Sequence, residues 1–161
     1  MNKLTPLVKG IIVGLAKVIL FLGLYYSNLP ADSKLQYSIH ILYAIGIIWT
    51  LISYSRSASF TGKFADIFGQ GFRCFIVVTL IMAAFTAIFY MVNPQIADDA
   101  ARFYREDLIK EGNKTPLEIE EIVAKVKKQY TTSRVSLTIF GYLTTGTIIT
   151  AAGSALLMRR K

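Results

Sequence analysis

A lysine sits at the centre of a strongly apolar stretch near the start of this chain. Lys17 falls in the middle of residues 7–26. A charge near mid-bilayer costs at least ~2.5–3.5 kcal/mol on insertion scales, so its ammonium is expected to face protein or water. Lys17 shares a helix side with Gly10 and Gly14, the two glycines of a G-x-x-x-G, and small residues of this kind let two helices approach closely. No Asp or Glu falls within any apolar stretch. Lys17 also lies eight residues beyond Lys9, about 12 Å deeper at 1.5 Å per residue, a long reach for snorkelling. The ammonium is therefore predicted to turn inward and meet hydroxyls or backbone carbonyls, with Thr79, Thr86 and Thr147 as the candidate hydroxyls. Two roles stand open: a tolerated charge, or the contact for an anionic group.

The other groups capable of chemistry lack partners. His40 is the single histidine and Cys74 the single cysteine, so neither an internal disulfide nor a His/Cys metal set can be assembled. The acids Asp98, Asp99, Glu106, Asp107, Glu118, Glu120 and Glu121 alternate with bases and lack a cation-binding spacing. With no carboxylate in a span, no intramembrane acid–base pair forms. No catalytic residue, cofactor site or metal site is read from the chain, and it is expected not to be an enzyme.

Four apolar stretches must position Lys17: residues 7–26, 37–54, 74–92 and 135–158. Each approaches the ~20 residues that cross a ~30 Å hydrocarbon core as a helix. Hydrophobic residues make up 53% of the 161, above the about 45–50% of soluble domains. The first stretch is read as a retained helix, because it is too long for a signal-peptide core and no A-x-A-like site follows it. A turn at residues 27–33 ends it. The expected fold is all-α, one polytopic membrane domain over residues 1–161. It has four transmembrane helices and an extramembrane αα-hairpin at residues 93–133, between the third and fourth.

Local signals fill in the rest. Phe60, Phe64, Phe68 and Phe72 recur every four residues before the third span. That spacing fits an interfacial helix, or equally a loop whose aromatics cover the bundle ends. Asn93-Pro94 reads as an N-cap with proline at the first helical position. Ile96, Ala100, Phe103, Tyr104 and Leu108 form an apolar stripe, and Gly112 stops that helix. Thr115-Pro116-Leu117-Glu118 is a capping box opening the second hairpin helix, striped by Ile119, Ile122, Val123, Val126 and Tyr130. The fourth span is rich in Thr, Gly and Ala, and Gly146 and Gly153 are expected to pack closely, as are Gly10 and Gly14.

The net charge of +8 does not mark a nucleic-acid partner, since no basic face carries interleaved aromatics on a solvated surface. With both termini cytoplasmic, the cytoplasmic segments carry a net +6, while the opposite side, including the eight acids and eight bases of residues 93–134, is neutral. The raw Lys and Arg count is seven against nine, so orientation rests on the bases that abut spans. Cytoplasmic termini are the expectation.

From Phe60 onward a pattern emerges. A Gly/aromatic stretch from Phe60 to Phe72 precedes a span closed by Asn93-Pro94. A mixed-charge hairpin follows, containing Glu111-Gly112-Asn113-Lys114-Thr115-Pro116-Leu117-Glu118, and then a small-residue span with a basic tail. This resembles the bacterial four-helix inner-membrane family called domain of unknown function 4199. The chain differs at Gly62-Lys63-Phe64-Ala65, where the family has a more acidic stretch, and in its mid-span Lys17. The resemblance implies a four-helix fold in the inner membrane and no defined activity. The expected function is an accessory or scaffold protein that acts through its hairpin or packed helices on another envelope protein, a sugar-transfer enzyme being one class. Its partners would be membrane lipids and that protein. The alternative is a small carrier or flippase subunit for a lipid-linked or anionic substrate, held by Lys17. A water-filled cavity at Lys17 would favour the carrier, and a sealed site the scaffold.

Overall fold

The computed structural model describes residues 4–27 and 37–158. The expected turn after Ser27 and the basic segments 1–3 and 159–161 lie outside the described residues. Among these, the regular structure is entirely helical: α1 (Pro6–Tyr26), α2 (Tyr37–Ser55), α3 (Phe64–Val92), α4 (Gln95–Glu111) and α5 (Pro116–Met158). Helices α1, α2, α3 and α5 are long and apolar enough to cross a membrane, as expected of an all-α membrane protein. The chain falls into two compact units, Met1–Met82 with Ile139–Lys161, and Ala83–Thr138.

In the first unit, α1 starts where Thr5 accepts a hydrogen bond from the Val8 N–H at 3.3 Å, with Pro6 at the first helical position. The G-x-x-x-G of α1 packs on α3. A Cβ at Gly10 would stand 2.7 Å from the Cys74 carbonyl oxygen, and one at Gly14 would strike Ile81. Cys74 itself is buried beneath this contact. A Cβ at Gly153 would meet Leu51 at 2.6 Å, so α5 lies equally close to α2.

Helix α3 begins ten residues before the expected third span. No proline falls between Phe64 and Val92, and α3 tolerates Gly69 and Gly71, so the aromatic stretch winds directly into the span rather than forming a loop. Phe64, Phe68 and Phe72 stack along it, with ring centroids 5.8 and 6.3 Å apart. Phe60 falls outside the helix, before Gly62, whose φ of 72° ends the preceding turn.

In the second unit, the hairpin turns at Gly112 in the left-handed region (φ 66°). The capping box forms: the Thr115 N–H donates to Glu118 at 2.7 Å, and the Glu118 N–H returns to Thr115 Oγ1 at 3.4 Å. Lys127 pairs with Asp98 at 2.5 Å, Arg105 pairs with Glu120, and Ala101, Leu108 and Ile119 are buried.

Three expectations need correction. Asn93 does not cap α4; Pro94 holds that position without a side-chain bond. The Asn93 amide instead donates back to the Phe89 carbonyl at 2.8 Å, satisfying the end of α3. The α4 stripe turns out differently too, since Leu108 packs alongside Ala101 while Phe103 and Tyr104 are exposed. Third, the second hairpin helix and the fourth apolar stretch are one continuous helix of 43 residues, about 65 Å long at 1.5 Å per residue. Tyr130-Thr131-Thr132-Ser133-Arg134 contains neither Gly nor Pro, and polarity alone does not stop a helix.

Candidate functional site

Helix α1 carries Lys17 on the face it shares with Lys9, Val13 and the two glycines, all buried. Lys17 has no exposed surface at all. Its Nζ lies 4.0 Å from the ring centroid of Tyr142, on α5, and 4.5 Å from that of Tyr43, on α2. The two rings meet edge to face with centroids 5.1 Å apart. The Tyr43 hydroxyl donates to the Tyr142 carbonyl oxygen at 2.8 Å, tying α2 to α5 over the lysine. Tyr43 can lie there because α5 has Gly146 opposite it. A Cβ at that position would strike both the Tyr43 hydroxyl and the Phe75 ring.

The ammonium thus turns into the helices, as predicted, but its neighbours are not the predicted ones. Among the described residues Nζ has no hydrogen-bond partner. Aromatic faces take the place of hydroxyls. A desolvated cation–π contact contributes ~2 kcal/mol, so two together are comparable to the ~2.5–3.5 kcal/mol cost of placing the charge at mid-membrane. No carboxylate is needed to hold the side chain there.

The three threonines separate. Thr79 is buried in the same unit, with its hydroxyl donating to the Phe75 carbonyl of its own helix at 2.8 Å. Thr147 is exposed on α5. Thr86 belongs to the other unit, where its hydroxyl lies 3.5 Å from that of Thr138. Of the four packing glycines, Gly10, Gly14, Gly146 and Gly153 all sit at close approaches. His40 is exposed.

A second lysine, whose burial the sequence does not announce, lies on the same helix. Lys9 is 6% exposed, with Nζ 5.1 Å from the Trp49 ring centroid on α2. Its spacing of eight from Lys17 was the available signal, since residues i and i+8 lie near one face of a helix. Each lysine finds an aromatic residue of α2.

The family model described as Protein of unknown function (DUF4199) matches residues 9–160. The chain belongs to that family. The match runs across both lysines and both tyrosines of the site, and the family's description carries no activity to bring to them. No curated protein and no solved structure matches the chain.

Proposed function

We propose that this chain is a multi-pass accessory protein of the bacterial inner membrane, which acts without catalysis by holding another envelope protein. The observation supporting this reading over a carrier is the closure around Lys17. A transported anion needs a mid-membrane site that lines a water-filled route. Lys17 has no exposed surface, and two tyrosine rings cover its ammonium. A sealed charge ties helices together rather than meeting a substrate. In this reading both termini face the cytoplasm and residues 93–133 lie on the other side.

The partner's contact in this reading is the outer face of α4. Phe103 and Tyr104 are 69% and 45% exposed there, with Ala100 one turn earlier. Exposed aromatics on an otherwise charged helix suit a protein interface, where Phe and Tyr are enriched. The partner is a membrane-anchored envelope protein presenting an apolar surface, and a sugar-transfer enzyme is the class to test first. A photo-crosslinking residue in place of Phe103, compared with one in place of Lys125, tests this in intact cells. One discrete protein adduct from position 103, absent from position 125 and lost on Tyr104→Asp, is expected. Lipid adducts alone, or equal labelling at both positions, would overturn the reading.

A further inference from the structure

The end of α2 and the first turns of α3 enclose a cleft of about 280 Å³, lined by Tyr54, Thr61, Asp66, Gly69, Gln70 and Arg73. Ligand pockets for drug-sized molecules run from about 300 to 1,000 Å³, so this one suits a small head rather than a large ligand. It contains one acid and one base. Among the described residues neither Asp66 nor Arg73 forms an ion pair. They are seven residues apart on one face of α3, about 10.5 Å along the axis. Both side chains line the cleft, with the Asp66 carboxylate held toward Thr61 and room for a small head between it and Arg73.

Between them sits Gly69. A Cβ there would meet nothing within 4 Å, and its φ is an ordinary helical one. Neither packing nor backbone geometry therefore calls for glycine. Glycine inside a helix is unfavourable relative to alanine. What it does here is leave the floor of the cleft open. The Asp66 carboxylate is held at one oxygen by the Thr61 hydroxyl at 2.6 Å, and the Tyr54 hydroxyl donates to the Ser59 carbonyl at 3.1 Å. That leaves the Tyr54 oxygen able to accept.

One acid beside one base excludes simpler ligands. A divalent cation wants several oxygen ligands and more than one carboxylate. A plain anion would be repelled by Asp66. A zwitterion satisfies both groups. We propose that this cleft seats the head of an ethanolamine phospholipid, with Arg73 taking the phosphate and Asp66 and Tyr54 taking the primary ammonium. Guanidinium matches phosphate with two parallel N–H donors, and the carboxylate accepts N–H bonds from the ammonium. The neighbouring face of α3 carries Phe64 and Phe72, 41% and 44% exposed, an apolar surface on which acyl chains can lie. This favours a lipid over free phosphoethanolamine, which carries the same head. The inference is independent of the protein partner proposed above.

Native mass spectrometry of the full chain in mild detergent, offered phosphatidylethanolamine, phosphatidylcholine or phosphatidylglycerol, tests it. The chain should retain phosphatidylethanolamine at least tenfold more than either competitor, because choline has no N–H to donate and glycerol has no charge for Asp66. Gly69→Leu fills the cleft and should remove that preference while helix content is unchanged. Asp66→Asn keeps an acceptor for Thr61, so it serves even if the leucine variant does not fold. It should lower phosphatidylethanolamine tenfold toward the phosphatidylcholine level and raise phosphatidylglycerol, because the carboxylate that repels an anionic head is gone. Equal retention of the three lipids, or an Asp66→Asn variant indistinguishable from the parent, overturns the proposal. Full competition by millimolar free phosphoethanolamine overturns its lipid part.

Discussion

Lys17→Met keeps the length of the side chain and removes its charge, so it isolates what the ammonium contributes. If two tyrosine faces only offset the burial of that charge, the variant should unfold in detergent at the same temperature or higher. Tyr142→Leu in the parent should lose the cation–π contact as well as packing, and in Lys17→Met only the packing. The double-mutant cycle should return a coupling of ~1–2 kcal/mol; a coupling near zero would mean the ring merely fills space. Glycines give a paired control. Gly146→Ala forces a Cβ into Tyr43 and Phe75 and should destabilise by ~1–3 kcal/mol. Gly23→Ala has nothing within 4 Å and should be neutral or stabilise by ~0.5–1 kcal/mol. The lysine was legible because a charge inside an apolar run is conspicuous. Its neighbours were not, because a tyrosine such as Tyr43 toward the end of a span fits an interfacial aromatic belt, and threonines read as polar partners. Threonines in helices commonly bond the carbonyl four residues back, as Thr79, Thr50 and Thr138 do, and this leaves little for a cation.

Helix starts and stops in the hairpin were readable because their signals are local. Gly112 and the Thr115–Glu118 box use residues three or four apart, and each forms as its residue types require. Thr115→Ala should cost ~1 kcal/mol locally, seen as faster hydrogen exchange at residues 116–121. The box is also sensitive to acid. The Thr115 backbone N–H, and then its hydroxyl, hold the Glu118 carboxyl below its ordinary range. A depressed carboxyl pKa means stability that is present above the unfolded-state value and lost as pH falls through the folded one. Protection at residues 116–121 should therefore decline on acidification, and in Glu118→Gln that decline should vanish. The boundary that went wrong was drawn from polarity. Tyr130–Arg134 looked like a linker because it is polar, yet it contains neither Gly nor Pro and α5 runs through it, while of the two readings open for Phe64–Phe72 the helix is the one that forms, continuous with the third span. Hydrogen exchange should show unbroken protection across residues 128–138.

Hydropathy alone was enough to reveal a helical membrane protein, because lipid leaves a chain few ways to satisfy its backbone. Which helices approach one another was legible only where small residues marked the contact, as at Gly10 and Gly14 against α3. Charge was less informative, since seven bases on one side face nine on the other. With both termini cytoplasmic, Asn113→Cys in a Cys74→Ser background should be labelled by an impermeant thiol reagent added outside intact cells. A cysteine appended after Lys161 should not; the reverse pattern would invert the molecule. The closure around residue 17 is open to the most direct measurement. In the same Cys74→Ser background, Lys17→Cys should resist a small hydrophilic methanethiosulfonate reagent applied to both membrane faces, while Asn113→Cys reacts to completion. Ready modification at position 17 would reveal a water-filled path to mid-membrane and contradict the sealed, non-transporting protein proposed above.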